Sequence, residues 1–255
     1  YMQFVFDLDG TICFEGKQVT ESILNSLELL TEKGHEVIFA SARPIRDILP
    51  ILHKRFHGYK MVGGNGSLLC VNGNIKQNAG FDDITLEKIK HLMEEYHATY
   101  LIEGDWDYSY TGPADHPILT NFDTKKLAVN KPIGKLEHVV KIAILTSFNM
   151  MGLRKKLDKL DVIIQTHHQE GILEITPCGI HKWNALQQLG VQKGKYIAFG
   201  NDANDISMFE NAQHSVMIGK HPLLSHYADE NIENDSLREE KIIEKLSELD
   251  NRFAY

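Results

Sequence analysis

Two aspartates stand two residues apart in "FVFDLDGT", Asp7 and Asp9, directly after an apolar run of strand-forming residues. On an extended strand, alternate residues point to the same side, so both carboxylates can face one small volume. Gly10 then lets the chain turn and bring free N–H groups toward an anion, with Thr11 beside it. Two like charges at that range are costly unless a cation or a shared proton lies between them. A plain bend is the local alternative, since Asp-Gly is a common turn dipeptide. The apolar "FVF" does not suit an edge hairpin, however, so the acids close a buried strand without structural need.

Three further stretches carry reactive types. "FASAR" ends a second apolar run with Ser41, whose hydroxyl can donate to a phosphoryl oxygen, with Ala42 and Arg43 following; Ser41 can equally cap a helix that starts at Pro44. In "GIHKWNAL", Lys182 falls in the first turn of a helix, where a cation opposes the dipole and calls for an anion nearby. "GNDANDISMF" places Asp202 to cap a helix beginning near Ala203 and Asp205 in its first turn, but capping leaves Asn201 and Asn204 unexplained. Hard oxygen donors without His or Cys point to Mg²⁺.

These groups need a scaffold that brings them together. "QFVFD" and "EVIFAS" are strand-like, and between them Ile23, Leu24, Leu27 and Leu30 recur at helical spacing, with Thr20 as the expected cap and Gly34 as the stop. Strand, helix and strand in that order mark a parallel sheet. The pattern returns late, as the helix "HKWNALQQLG", the strand "YIAFG", the helix "ANDISMFENA" and the strand "HSVMIG". Every candidate then lies at the carboxyl end of a strand, where open α/β sheets bind ligands.

The intervening texture differs: a hairpin "LLCVNGNIKQ" turning at Asn72-Gly73, the helix "TLEKIKHLMEEYH", the strands "TYLIEG" and "VVKIAIL", a Lys-rich helix "MGLRKKLDKL", and the strands "VIIQTHH" and "ILEI". The expected architecture is an α/β core, a Rossmann-like doubly wound parallel sheet formed by 1–82 and 180–255. An α+β module, 83–179, is inserted into it.

The 255 residues carry 27 Lys+Arg against 35 Asp+Glu, a net charge of −8, which argues against general attraction to nucleic acid. No run is long and apolar enough for a membrane span and no charged-then-apolar leader is visible, so the expectation is a cytoplasmic protein. Three scattered cysteines without a C-x-x-C pair argue against a disulfide framework or a zinc knuckle.

"DLDGT", "SAR", "HK" and "GNDANDISMF", in that order and spacing, resemble the four motifs of the haloacid dehalogenase-like hydrolase superfamily, and the insertion resembles its large Cof-type cap. "GGNGSLL" is similar to the Asn-Gly-Ala hairpin segment of that subfamily, which adds Asn65 to the candidates. The resemblance implies Asp7 as nucleophile, forming an aspartyl-phosphate, and Asp9 as the general acid that then activates water. It implies Ser41 and Lys182 as the groups that hold and neutralise the transferring phosphoryl. Gly10, Thr11, Ala42, Arg43, Asn65 and Asn204 would surround the phosphate. Mg²⁺ would be held by Asp7, the Asp9 carbonyl and the 201–205 loop, with Asp205 in register.

One departure stands out. The family's usual Gly-Asp-x-x-Asn-Asp has an acid where Asn201 stands, and the carboxylate is displaced to Asp202. Either the Asn201 oxygen coordinates a more weakly bound ion, or Asp202 swings in. In the cap, "THHQEGILE" is the candidate substrate-facing edge through His167 and His168, with "EGDWDYSYTG" as a second polar-aromatic patch. The expected function is a Mg²⁺-dependent phosphatase of small phosphorylated metabolites, sugar phosphates first, acting as a monomer or weak homodimer. The alternatives are a sugar-phosphate phosphomutase and, with Asn201 as motive, a non-catalytic phosphate sensor.

Overall fold

The computed structural model describes residues 1–167 and 171–254, so the candidate His168 lies outside the described residues. The chain divides into two compact units, residues 1–75 with 181–255, and residues 76–180. No described helix is long and apolar enough to cross a membrane.

The first unit opens with β1 (Gln3–Phe6), all four residues buried, followed by α1 (Glu21–Glu32), β2 (Glu36–Ala40) and the short α2 (Ile45–Ile48). α1 buries the expected stripe of Ile23, Leu24, Leu27 and Leu30. Thr20 sits at its N-cap, but the hydroxyl donates to Glu239 at 2.6 Å and makes no cap hydrogen bond. β3 (Met61–Gly63) precedes a hairpin of β4 (Leu68–Val71) and β5 (Asn74–Gln77) that turns at Asn72-Gly73. The unit boundary falls inside β5, ahead of the expected crossing near residue 82.

The second unit carries α3 (Asp83–Glu95), β6 (Thr99–Glu103), β7 (Tyr108–Tyr110), β8 (Lys141–Thr146), α4 (Met150–Leu157), β9 (Val162–His167) and β10 (Ile172–Pro177). Asp82 caps α3 by accepting from Thr85 N at 2.8 Å. Its sheet runs β7-β6-β8-β10-β9, antiparallel throughout. Strand alternation sends Ile102, Ile142, Ile144, Leu173 and Ile175 against Ile89, Met93, Leu153 and Leu157 of the two helices. Leu101, Ala143, Leu145 and Ile172 gather with Tyr108, Tyr110 and Phe122 on the other face.

The chain then completes the first unit with α5 (Lys182–Gln188), β11 (Tyr196–Gly200), α6 (Ile206–Asn211), β12 (His214–Ile218), β13 (Glu230–Ile232) and α7 (Arg238–Arg252). The eight strands run β13-β12-β11-β1-β2-β3-β4-β5, parallel from β13 to β3 and antiparallel at β3-β4. β1 is central: Phe4 pairs with Ile197 on one side and Val37 on the other. α5 and α6 supply Trp183, Leu186, Met208 and Phe209 to the cluster around Val5, Ile38 and Ala198. Each fully buried apolar side chain contributes about 1.5–3 kcal/mol, and that apolar bulk is what holds charged groups at the strand ends out of water. α1 and α7 are joined by Asp250, which binds Lys33 and, at 2.9 Å, His35 Nε2.

Candidate active site

Three adjacent parallel strands, β11, β1 and β2, end side by side, and each passes directly into a candidate. Asp7 extends the β1 ladder by donating its N–H to Phe199 O at 3.0 Å; Ser41 extends β2 through Val62 O at 2.9 Å; Asn201 follows β11. Lys182 opens α5, behind the N-cap His181, whose side chain accepts from Asn184 N at 3.2 Å.

At the centre is a buried ionic triad. Lys182 Nζ donates to Asp7 Oδ1 at 2.8 Å and to Asp205 Oδ1 at 2.7 Å, with the three residues 0%, 4% and 0% exposed. The other Asp7 oxygen accepts from Thr11 Oγ1 at 2.8 Å. Asp205 Oδ2 accepts from Asn201 N at 2.9 Å and Asp202 N at 3.2 Å, so this carboxylate braces the loop and the lysine together. Gly200 is required here because a Cβ would stand 2.7 Å from Asp205 Cβ and Cγ. Burial pushes the Asp7 carboxyl up to about 7, against the pull of Lys182 and with Asp205 adding to the rise. Lys182 stays cationic: desolvation lowers it, but the two carboxylates outweigh that and its pKa is raised overall.

Asp9 lies beside the triad with its carboxylate half exposed. Arg43 grips it through two parallel bonds, Nε to Oδ2 at 2.7 Å and Nη2 to Oδ1 at 2.8 Å. The guanidinium that the sequence suggested for phosphate therefore serves the second aspartate, a partner that fits the same planar fork. Ser41 is fully buried; its Oγ accepts from Arg43 N at 3.0 Å and its carbonyl from Asn65 N at 3.0 Å. Asn65 takes a left-handed backbone, φ 59°, and receives Asn204 Nδ2 at 2.9 Å, while the buried Asn204 Oδ1 has no partner. Ala42 is exposed at the end of β2.

Asn201 occupies the position that decides how a cation would be held. One terminal atom of its carboxamide lies 2.7 Å from Asp7 Oδ2, 3.0 Å from the Asp9 carbonyl oxygen and 3.3 Å from Thr11 Oγ1. As nitrogen, that atom donates to these oxygens; as oxygen, it joins them. Gly10, with φ +80°, leaves room for this group, since a Cβ there would collide with the Asn201 amide. Among the described residues no cluster of three or more His, Cys, Asp or Glu side chains is arranged for a metal. A carboxylate, a backbone carbonyl and a carboxamide oxygen nevertheless form a hard oxygen set, and the 2.7 and 3.0 Å from the Asn201 atom to the other two lie near the edge of about 3 Å expected for octahedral Mg²⁺. The residues fit the ion when the amide oxygen faces inward.

Asp202 is turned away from this set. Its carboxylate is 64% exposed, accepts from Ala203 N at 2.6 Å and lies 3.3 Å from His221 Nε2. It is an N-cap, with Asp205 completing the reciprocal pair that opens the 3₁₀ turn Ala203–Asp205. The structure thus unites Asp7, Asp9, Thr11, Ser41, Arg43, Lys182, Asn201 and Asp205 and leaves the Asp202 carboxylate outside. Sequence reasoning missed His181, whose capping role could have been anticipated from its place just before the Lys182 helix.

The family described as haloacid dehalogenase-like hydrolase matches residues 4–236. The 5-amino-6-(5-phospho-D-ribitylamino)uracil phosphatase YitU of Bacillus subtilis (strain 168) is 24% identical over 230 residues, covering 84% of each chain. A haloacid dehalogenase-like hydrolase from Bacteroides thetaiotaomicron shares the fold with a TM-score of 0.75 at 19% identity, covering 98% of this chain and 99% of that one. The HAD subclass IIB sugar phosphatase BT4131 does so with a TM-score of 0.70 at 16% identity, covering 98% and 99%.

Proposed function

The chain belongs to the haloacid dehalogenase-like hydrolase family as a phosphatase of its Cof type, and from that premise we propose that it hydrolyses phosphate monoesters of small metabolites, sugar phosphates foremost, through an aspartyl-phosphate on Asp7. The observation that carries the reading is the triad in which Lys182 bridges Asp7 and Asp205 beside the Arg43-held Asp9.

In this mechanism an Asp7 oxygen attacks phosphorus and the bond to the leaving oxygen breaks. Asp9 delivers its proton to that oxygen. Asp9 then takes a proton from water as the water attacks phosphorus, the bond to Asp7 breaks, and the free carboxylate and inorganic phosphate result. Burial favours the protonated form of Asp7, which cannot attack; the Lys182 ammonium at 2.8 Å favours the ionised one. The same ammonium and the Ser41 hydroxyl offset charge on the transferring phosphoryl, where fixed donors are most effective. Arg43 acts through Asp9, holding its carboxyl in one orientation. Asp7, the Asp9 carbonyl and Asn201 would hold Mg²⁺, which when bound lessens the repulsion between an anionic nucleophile and an anionic ester.

A phosphate ester on a sugar-derived chain is supported by YitU, whose name specifies a phospho-D-ribitylamino group, the alditol counterpart of a sugar phosphate. Residues 76–180 are the proposed source of leaving-group selectivity, with His167, 3.3 Å from Glu174, on the strand nominated for that role. The test is a screen of sugar phosphates and p-nitrophenyl phosphate with MgCl₂, scored for inorganic phosphate. Turnover that vanishes in Asp7→Asn is expected. An isomerised sugar phosphate would instead mean a mutase, and binding without turnover a sensor.

A further inference from the structure

The 201 position is where this chain parts from its family, and the surrounding atoms explain how it does so without a carboxylate. Three oxygens without a proton among the first two, Asp7 Oδ2, the Asp9 carbonyl and Thr11 Oγ1, converge on one end of the Asn201 carboxamide at 2.7, 3.0 and 3.3 Å. The Thr11 hydroxyl proton is directed at Asp7 Oδ2, 2.8 Å away, so the inward Asn201 atom meets acceptors on every side. Acceptors in that arrangement are satisfied by N–H donors or by a cation. A carboxamide can meet both situations, because a half turn about its last bond exchanges NH₂ for oxygen.

We propose that Asn201 is an exchangeable ligand. Its NH₂ donates to Asp7 and the Asp9 carbonyl in the ion-free protein, and its oxygen turns inward to coordinate when a divalent cation enters. An aspartate here would put a further carboxylate against Asp7, which already shares with Asp205 the one cation among the described residues within hydrogen-bond reach of that pair, Lys182, so an ion-free site would carry strong like-charge repulsion. Asparagine removes that repulsion and weakens the ion's hold by the same charge. Asp202 does not restore it, being bound to Ala203 N and facing His221. The space for the amide is built in, since any side chain at Gly10 would displace it.

This rests on the reading that Mg²⁺ serves the site, and the test keeps the two apart. In ¹⁵N-labelled full-length protein, the Asn201 side-chain NH₂ resonances, assigned by their loss in Asn201→Asp, are followed during MgCl₂ titration alongside calorimetric Mg²⁺ affinity and melting in EDTA. The expected result is an NH₂ pair protected from hydrogen exchange without Mg²⁺ that loses protection on addition. Asn201→Asp is expected to bind Mg²⁺ at least about tenfold more tightly and to melt lower in EDTA. An unprotected NH₂ in the ion-free protein, unchanged exchange on Mg²⁺ addition, or equal affinity in Asn201→Asp would each overturn the proposal. If the wild type turns over without a divalent ion, it is the Mg²⁺ reading that fails.

Discussion

Lys182 and Asp205 face each other across 2.7 Å with neither side chain accessible to solvent, although 23 residues and a complete strand separate them in the chain. The pair is a structural tie as well as part of the proposed chemistry, because Asp205 also holds the two amides of the preceding loop. Lys182→Met leaves Asp7 and Asp205 buried without their cation. The expected cost is about 3–5 kcal/mol of folding stability together with complete loss of turnover, read from urea unfolding and phosphate release. Adding Asp205→Asn should recover part of the stability and none of the activity. A single-variant cost below about 1 kcal/mol would contradict the burial argument.

Arg43 positions Asp9 by a fork that lysine cannot reproduce. Arg43→Lys is expected to slow hydrolysis of an alkyl phosphate by about tenfold or more, as proton delivery to a poor leaving group falters. p-Nitrophenyl phosphate, whose leaving oxygen needs no proton, should suffer much less. Equal losses on both substrates would assign the guanidinium to the phosphate instead.

Gly200 is bounded by the Asp205 side chain, so Gly200→Ala forces the carboxylate away from Lys182. Overpacking of this kind costs about 1–3 kcal/mol, and the melting temperature should fall by several degrees with activity lost in step. An alanine variant with wild-type melting and turnover would mean the loop moves aside freely.

Asp250 provides a pH dependence away from the site. Its burial raises the carboxyl pKa, but hydrogen bonds from Lys33 and His35 outweigh this and hold it below its ordinary value of 3.8. A depressed carboxylate contributes stability that is present above the unfolded value and lost as pH falls through the folded one. Wild type should therefore exceed Asp250→Asn in stability at pH 6, with the gap closing as pH falls below about 4 in urea titrations. A gap that is constant with pH would point to packing alone.

The acids at the end of β1 were legible because an apolar run followed by Asp-x-Asp has little structural use, and the helix stripe from Ile23 to Leu30 announced the crossover that aligns β1 with β2. Arg43 was not legible in its partner: a fork suited to phosphate is equally suited to carboxylate, and one sequence does not say which lies in front of it. Nor could the contest between Asn201 and Asp202 be judged beforehand. The 3₁₀ turn at Ala203–Asp205 takes Asp202 as its cap and leaves the Asn201 carboxamide toward Asp7 and the Asp9 carbonyl, a placement that two adjacent polar residues do not announce. β7 went unseen for a simpler reason, since three residues are too few to display a period.

β1 sits between a neighbour made some thirty residues later and one made nearly two hundred residues later, Val37 and Ile197 both pairing with Phe4. During synthesis one side of this apolar strand therefore waits, unpaired, until most of the polypeptide has left the ribosome, an open edge of the kind that invites misassociation. Refolding slowed by this long-range pairing is the expected consequence of that single placement, whatever the finished enzyme acts upon.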